Sequence, residues 1–454
     1  MSAIITDPLK KLLTQKIFDE VANTTNRYYI GIGRSEPWDS SETVPTPTNS
    51  PRTIRNVRAG LQSIKSATDL SYVVPRYNWS SGSIYQGYDD NFTGIPDTNP
   101  YAVLTEDNQV YMVLQQAKNN AGTATTSTIK PTGTSTKPFK TSDGYVWKFL
   151  YTLSAARSSA FLSANFLPVE KILDSARVND LTGTTTLSVL EIQQALVQDS
   201  AVPGQIIGIT VTGGGTGYTS TPTVTIQGDG VRAAATATVS GGAVTKIELD
   251  SSTDSAITMG QGYNFASVAI TGGGGSGAAA RAIIGPDSGL GADPRDDLRS
   301  TSLMFNTKPN GIEDSNFIVG QDFRQVALIR DPKKTTDDSD FTTSSGKVLK
   351  FLKLTAAANT NFLDATITGG TTGAKALVDE VDSDRLYFHQ TEATGFLAFA
   401  EGEAITGGGT SGTLVAEGVD VDSDAFTKDD VDNLSGKIVY IENRAPVTRA
   451  ANQQ

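Results

Sequence analysis

The chain contains no cysteine and only one histidine, and these two gaps remove whole classes of chemistry. Without cysteine there are no disulfides, thiolate nucleophiles or thiolate metal ligands. His389 alone cannot build a multi-histidine metal site or a histidine-rich pH switch. It lies in "RLYFHQT", which is typical of an ordinary strand, and the chain has no Gly-x-Ser-x-Gly elbow. A serine hydrolase is therefore not indicated.

Positive charge and long apolar runs are also scarce. The 37 Lys and Arg residues are outnumbered by 49 Asp and Glu residues, which gives a net charge of -12. Such a surface repels nucleic acid and anionic membranes, so we expect neither as a partner. No run approaches the roughly 20 apolar residues of a membrane span. The opening "MSAIITDPLKKLLTQ" lacks the apolar core and cleavage site of a signal peptide. We expect a soluble protein that stays in the cytosol, without membrane insertion.

Glycine, by contrast, is abundant, with 44 residues among 454, and 38% of the chain is hydrophobic. This balance supports packed structure built from many short strands and tight turns. The length allows two to four domains, at roughly 100 to 200 residues each. The composition therefore predicts a mainly β fold of several parts.

Local patterns predict one helix at the start of the chain, followed by strands. Asp7 and Pro8 are typical of a helix start, and apolar residues then recur at helical spacing. In "RYYIGIG", at 27–33, Gly31 and Gly33 leave one strand face bare, as expected where another backbone comes close. The prolines within 39–51 predict an exposed, extended loop.

Further strands follow along the chain. "YAVLT" and "QVYMVLQQ" form a predicted hairpin around "EDN". In "DGYVWKFLYTLS" a row of large side chains falls on one face, which indicates core packing. The segments 323–330 and 436–447 are predicted strands, and they can share a sheet only if the residues between them loop out. The row of large side chains in "DGYVWKFLYTLS" consists of Tyr145, Trp147, Phe149, Tyr151 and Leu153.

Arginines recur every third residue after Pro51. Arg52, Arg55 and Arg58 are predicted to share one face of a short helix. Exposed charges of this kind need no partner, so a solvated face is the favoured interpretation. A strip that binds a partner remains the alternative.

Two segments contain internal repeats. The sequence from Gly215 is repeated from Gly260, with Tyr218 and Tyr263 at matching positions, and the sequence from Phe362 is repeated from Phe399. Each copy is typical of a strand, a glycine turn and a second strand, and such copies commonly bury their faces against one another. We expect two inserted β modules, at 203–286 and 346–424.

Glycine and aspartate runs carry little chemical signal here. "TGGGTG" and "TGGGGSG" lack the Gly-Lys-Ser/Thr ending of a phosphate-binding loop, so turn glycines are the better interpretation. "DEVDSD" at 379–384 and "DVDSD" at 420–424 do not continue into a calcium-binding EF-hand loop. They are expected to be solvated turn residues. Paired carboxylates for glycoside hydrolysis remain open, because the two acids can come from distant segments.

Five short motifs give a more specific indication when they are taken in order. Together they resemble the baseplate wedge protein of T-even-type contractile-tailed phages, the product of gene eight. The resemblance covers about 30–200, 300–345 and 425–450, outside both modules. The motifs are "GRSEPW" at 33–38, "VVPRYNW" at 73–79, "DGYVWKFL" at 143–150, "FRQVALIRDP" at 323–332 and "GKIVYIENRAPV" at 436–447.

The resemblance implies a structural subunit of the virion tail baseplate, assembled in the host cytoplasm, with no enzymatic activity. The residues themselves lead us to expect no cofactor and no metal. The resemblance also implies a layered β-sandwich core with short helical excursions, and a homodimer. The products of genes seven and ten are the implied neighbours, with the gene six product nearby. The wedge takes part in the rearrangement that triggers sheath contraction. The family usually continues into one more apolar strand after the polar stretch that ends this chain.

These expectations define the predicted layout. The core comprises 1–202, 287–345 and 425–454, and the two modules lie between these parts. The alternative is a carbohydrate-binding or polysaccharide-degrading tail protein, with Tyr, Trp and acidic side chains in a groove. The structural or interface candidates in the motifs are Arg34, Glu36, Trp38, Arg76, Trp79, Tyr145, Trp147, Arg324, Tyr440, Glu442, Asn443 and Arg444.

Overall fold

The chain is mainly β, as predicted, with 41% strand and 13% helix. A computed structural model describes residues 4–22, 27–67, 69–174, 187–250, 258–308, 317–318, 320–415 and 431–448. The chain divides into two compact units. Unit 1 comprises 1–15 and 70–304, and unit 2 comprises 16–69 and 305–454. None of the described helices has the length and apolar character needed to cross a membrane.

Five helices are described, together with one 3-10 turn at Thr360–Phe362. The helices are α1 Asp7–Ala22, α2 Pro51–Ala59, α3 Ala155–Phe161, α4 Val189–Asp199 and α5 Pro294–Asp297. The strands are β1 Tyr28–Gly33, β2 Leu61–Ser66, β3 Asp69–Pro75, β4 Ala102–Leu104, β5 Gln109–Gln115, β6 Phe139–Lys140, β7 Val146–Thr152, β8 Phe166–Val169, β9 Ile206–Thr216, β10 Thr223–Gly228, β11 Val231–Ala233, β12 Ala235–Ser240, β13 Ala243–Leu249, β14 Met259–Gln261, β15 Ala266–Thr271, β16 Ser276–Ile284, β17 Ser302–Asn306, β18 Asp322–Arg330, β19 Ser345–Lys347, β20 Lys350–Lys353, β21 Thr366–Gly369, β22 Lys375–Asp382, β23 Arg385–His389, β24 Ala404–Gly407, β25 Thr410–Thr413 and β26 Lys437–Thr448.

The helix starts follow from the capping chemistry of the sequence. Asp7 and Pro8 open α1 as predicted. In α2 the Ser50 side chain accepts a hydrogen bond from the Thr53 amide, and Pro51 occupies the first turn, where its missing N–H costs nothing. Gly60 follows the last residue of α2 and closes it with backbone bonds. Both ends of α2 are therefore capped by hydrogen bonds.

Unit 2 contains a five-stranded sheet in the order β19-β2-β1-β18-β26. β1 pairs antiparallel with both β2 and β18, and β18 pairs antiparallel with β26. The predicted sharing of a sheet by 323–330 and 436–447 is therefore confirmed. Tyr29, Ile64 and Ile329 are buried in the core of this sheet, where the edge of the Tyr29 ring meets Phe341.

A six-stranded antiparallel sheet forms the second part of unit 2, in the order β20-β23-β22-β21-β24-β25. β21 belongs to the first copy of the repeat and β24 to the second, and these matching strands pair with each other. Phe362, Ile367 and Ile405 are fully buried in the core of this sheet. The two copies therefore bury their apolar faces together, with matching hairpins on either side of the central pair.

Unit 1 contains a four-stranded sheet in the order β4-β5-β7-β6, and a three-stranded sheet in the order β17-β3-β8. The predicted hairpin is confirmed as β4 and β5, with Asn108 in the left-handed region at its turn. All five members of the predicted row in 145–153 are buried, which confirms their core role. The other face of β7 is covered as well, because Val146, Lys148 and Leu150 are also buried.

Four strand pairs in unit 1 form the glycine-rich repeat region: β9 with β16, β10 with β15, β11 with β14, and β12 with β13. β10 and β15 occupy matching places in the two copies and pair with each other. Two glycines lie against tyrosine rings. A Cβ on Gly275 would approach the Tyr218 ring to 2.5 Å, and one on Gly230 would approach the Tyr263 ring to 2.4 Å. These glycines are close-contact positions in the packing of the repeat.

Candidate interaction site at the Gly33–Trp38 joint

Strand β1 ends where two backbones nearly touch. A Cβ on Gly33 would lie 2.3 Å from the carbonyl oxygen of Gly60, so only glycine fits without movement of the backbone. The predicted close approach of another backbone is confirmed at this position. Gly31 differs, because its Cβ would meet the Leu61 and Ile329 side chains instead. We call residues 33–38 the joint.

Arg34 turns the chain away from the sheet. Its φ is 63°, in the left-handed region that few non-glycine residues adopt. The Arg34 amide donates to the Gly60 carbonyl at 2.9 Å, and its carbonyl accepts from the Arg324 amide at 3.0 Å. These bonds hold the turn from both sides. The Arg34 guanidinium lies 4.2 Å from the centre of the Trp38 ring and donates to the Pro37 carbonyl.

Trp38 links the joint to the last strand. Its Nε1 donates to the backbone carbonyl of Arg444, in β26, at 2.9 Å. The Trp38 side chain is half-buried, while Arg444 is exposed. Stacking of a guanidinium on an indole adds a cation–π attraction of about 0.5–1 kcal/mol at partly exposed sites. One side chain therefore connects two of the five motifs.

Arg324 links a third motif to the joint region. Its side chain is 5% exposed, and its Nε and Nη2 atoms donate to the Glu42 carboxylate at 3.1 and 2.9 Å. The same guanidinium contacts Asp322 and the Ser35 carbonyl. The hydrogen bonds from Arg324 lower the pKa of Glu42. The planar fork of arginine suits this two-pronged arrangement.

A buried charge cluster contains the glutamate of the joint. The His389 Nδ1 atom lies 2.5 Å from Asp379, and its Nε2 atom lies 3.2 Å from Glu36. The second contact is an ion pair rather than a hydrogen bond, since Nε2 has no hydrogen-bond partner of acceptable geometry. Burial by itself would lower the pKa of His389, but the Asp379 and Glu36 carboxylates raise it to about 10. His389 is therefore an imidazolium at neutral pH.

The Glu36 carboxylate responds to the His389 charge. Burial alone would raise the pKa of Glu36, but the neighbouring His389 imidazolium outweighs burial and lowers it. Asp379 is fully buried and accepts further hydrogen bonds from the Ser35 hydroxyl at 2.6 Å and the Gln62 amide at 3.2 Å. Each buried charge thus has an opposite charge beside it, as burial requires.

The position of Asp379 corrects one sequence prediction. The run 379–384 was expected to consist of solvated turn residues, but Asp379 is 0% exposed within β22. The pairing of β22 with β23 shifts register between Val378 and Glu380, which is a β-bulge. Bulges redirect side chains, so the pattern of the sequence alone did not reveal the inward orientation. The second run, at 420–424, lies outside the described residues.

The cluster of Glu36, Asp379 and His389 is a set of buried ion pairs and does not match a nucleophilic triad. The Ser35 hydroxyl bonds to Asp379, whereas a triad serine would bond to the histidine. Both ring nitrogens of His389 face carboxylates, which leaves neither nitrogen to exchange a proton with a substrate. Among the described residues, no group of His, Asp and Glu could hold a metal ion.

The candidates in β26 lie close to the joint or on the surface. The Asn443 amide donates to the Pro45 carbonyl at 2.8 Å and accepts from Gln325. Tyr440 is 55% exposed, and its hydroxyl lies 3.5 Å from the Glu442 carboxylate. Asn443 therefore holds the loop of 39–51, while Tyr440 presents its ring to solvent.

The other candidates belong to unit 1. The Arg76 guanidinium donates to Asn78 and to the Ser163 carbonyl. Trp79 packs against an aromatic cluster that includes Tyr145 and Trp147, both 0% exposed. These side chains hold the interior of unit 1 and are not part of the joint.

The α2 arginines have separate roles. Arg58 is half-buried and donates to three backbone carbonyls, those of Asn433, Ser435 and Gly436, so its guanidinium is occupied by structural contacts. Arg52 forms an exposed ion pair with Glu392. Sequence reasoning did not find Glu42, Asp379 or the charged state of His389, because each depends on a contact between distant segments.

Comparison with known proteins adds no identity. No protein-family model matches the chain, and no curated protein matches it.

Proposed function

We propose that this chain is a structural subunit of a contractile phage tail baseplate wedge. The observation that supports this most directly is the joint, where three of the five motifs lie on the adjacent strands β1, β18 and β26 and bond to one another. The ordered set of motifs is thus used to hold backbone together. The polar groups of these motifs form structural contacts within the chain, as expected for a protein that functions through its interfaces.

The proposal includes specific partners. The subunit forms a homodimer and joins the products of genes seven and ten, with the gene six product nearby, in the virion tail baseplate after assembly in the host cytoplasm. It has no enzymatic activity of its own and takes part in the rearrangement that triggers sheath contraction. Large surfaces with aromatic and arginine anchors supply the affinity of such assemblies.

Light scattering coupled to size-exclusion chromatography tests the proposal. The purified chain is expected to have a mass of twice 47.8 kDa and to shift to a larger complex when it is co-expressed with the three wedge proteins of the same phage. Tyr440→Ser, at an exposed position of β26, is expected to weaken assembly without loss of folding. Lys137→Glu, at an exposed position in unit 1, serves as the control. A monomer that ignores every wedge protein and cleaves a polysaccharide would overturn the proposal.

A further inference from the structure

A groove of about 760 Å³ runs beside the joint within unit 2. Its lining comes from the joint, the proline-rich loop at 45–48, α2, and strands β21 and β22 with the loop at 391–394. This volume lies in the range of small-ligand sites, roughly 300–1,000 Å³. The segments belong to elements with defined hydrogen bonding, so the groove is formed before any ligand binds.

The groove lining and its paired charges together carry a small positive charge. Glu392 is paired with Arg52, and Glu36 shares the His389 imidazolium with Asp379, so these three carboxylates and two cations sum to -1. The two cations of the lining itself, Arg34 and Lys375, have no ion-pair partner among the described residues. The groove is therefore locally positive in a chain whose net charge is -12.

Several polar groups of the lining are also unused. The Nε atom of Arg34 is buried and has no hydrogen-bond partner, although a buried donor without a partner costs roughly 1–3 kcal/mol. Within the described residues, the side chains of Asn56, Lys375 and Thr366 likewise lack a partner. All three are exposed to solvent along the groove. The Arg34 guanidinium lines the groove beside free amide, ammonium and hydroxyl groups, and this set fits a ligand rich in oxygen acceptors.

The apolar part of the groove is small. Among the described lining residues, Leu377 is the one large aliphatic side chain, and the half-buried Trp38 ring is the one aromatic group. Strands β18, β21 and β22 each have neighbours on both sides, whereas β26, which contributes Asn443 to the lining, is an edge strand. A peptide would find a backbone ladder only at β26 and no set of apolar pockets, and the hexaglutamate probe below tests this alternative. A sugar needs instead a ring to lie against and many hydrogen bonds.

We propose that this groove binds an acidic saccharide, with a sugar carboxylate at Arg34, positive potential from Lys375, and sugar hydroxyls at Asn56 and Thr366. The site shares Arg34 and Trp38 with the joint, but saccharide binding and wedge assembly are measured by separate experiments, so either proposal can fail without the other. Hydrogen bonds between a guanidinium and a carboxylate are about twice as strong as neutral ones, so the carboxylate dominates recognition.

Titration calorimetry with the full chain tests the site. The probes are tri-galacturonic acid, the neutral sugar maltotriose and a hexaglutamate peptide. We expect binding of tri-galacturonic acid in the millimolar range or tighter, at least tenfold weaker binding of maltotriose, and no binding of the peptide. Raising the salt concentration is expected to weaken acid binding, because salt screens exposed charges.

Variants locate the site on the groove. Lys375→Glu and Asn56→Asp change exposed side chains without filling the groove, and each is expected to weaken tri-galacturonic acid at least tenfold. Lys137→Glu makes the same charge change in unit 1 and is expected to leave binding unchanged. Arg34→Ala removes the central donor, but it also loosens the joint, so the two surface variants decide the matter if it unfolds.

Four results would overturn the proposal. They are the absence of acid-sugar binding at millimolar concentration, equal binding of maltotriose, equal binding of hexaglutamate, and unchanged binding by both Lys375→Glu and Asn56→Asp. None of these results bears on wedge assembly, which is measured separately by light scattering.

Discussion

Glu36 and His389 come from opposite parts of the chain, and their Oε1 and Nε2 atoms lie 3.2 Å apart. His389 is 4% exposed, and Asp379 lies on its other side. A single imidazolium thus separates two carboxylates that would otherwise face each other. The six-stranded sheet of unit 2 is fastened to the joint through this contact.

We expect His389→Gln to destabilise unit 2 by about 3–5 kcal/mol, because removal of one member of a buried ion pair leaves its partner's charge uncompensated. Urea unfolding followed by fluorescence measures this loss, since Trp38 is the tryptophan of unit 2 while Trp79 and Trp147 belong to unit 1. The matched control is Arg52→Ala. Its ion pair with Glu392 is exposed and screened by solvent, so its loss is expected to change stability little. Equal effects of the two variants would contradict the buried cluster.

The stability of unit 2 is expected to fall as pH rises from about 6.5 to about 10. The pKa of His389 is raised from 6.5 in the unfolded chain to about 10 in the folded one. Its contribution is therefore complete below pH 6.5 and is lost as the pH passes through the folded pKa. Other groups titrate in this range, so the test is the difference between the wild-type and His389→Gln profiles. A difference that is flat across the range would show that His389 is neutral in the folded protein.

Trp38→Ala is expected to destabilise unit 2 by about 2–3 kcal/mol, somewhat below the 3–5 kcal/mol typical of a fully buried aromatic, because the ring is half-buried. Trp38→Phe keeps a ring for Arg34 to stack on and loses the hydrogen bond to the Arg444 carbonyl. Its expected cost is about 1 kcal/mol. Because both variants remove the fluorescent probe, hydrogen exchange of the β26 amides is the measurement. If Trp38→Ala leaves the hydrogen exchange of the β26 amides unchanged, the indole does not stabilise the contact between the joint and β26.

Gly33→Ala is expected to destabilise the five-stranded sheet by several kcal/mol or to prevent its folding, because the new methyl group meets the Gly60 carbonyl oxygen at 2.3 Å. Gly94→Ala is the control, since no atom lies within 4 Å of the position that its Cβ would occupy. That variant is expected to be neutral or to stabilise by about 0.4–1 kcal/mol through the unfolded chain. Thermal unfolding compares the two. A Gly33→Ala protein as stable as Gly94→Ala would contradict the close backbone approach.

The sequence predicted much of the fold because periodicity and turn chemistry are local signals. The aromatic row of 145–153, the hairpin at 102–115 and the start of α1 each follow from residues close together in the chain. The α1 pattern also shows the limit of such signals. Leu12 and Leu13 fit a helix facing a core, yet they are 57% and 54% exposed. Periodicity gives the helix but does not show what covers it.

The candidate site was only partly predictable, because its charges meet across long sequence separations. Arg34, Glu36 and Trp38 stood out as a motif, but their partners His389 and Arg444 lie in segments far along the chain. Nothing near Asp379 in the sequence distinguishes it from the solvated aspartates beside it. A one-residue bulge decides that it points inward, and bulges leave little trace in hydrophobic patterning.

Both repeat regions pair one copy with the other, β10 with β15 in unit 1 and β21 with β24 in unit 2. A single copy would present an unsatisfied strand edge, which invites association with other chains. Recombination that adds or deletes one copy would therefore leave a strand without its partner, whereas an exchange of both copies together keeps the pairing of β10 with β15 or of β21 with β24.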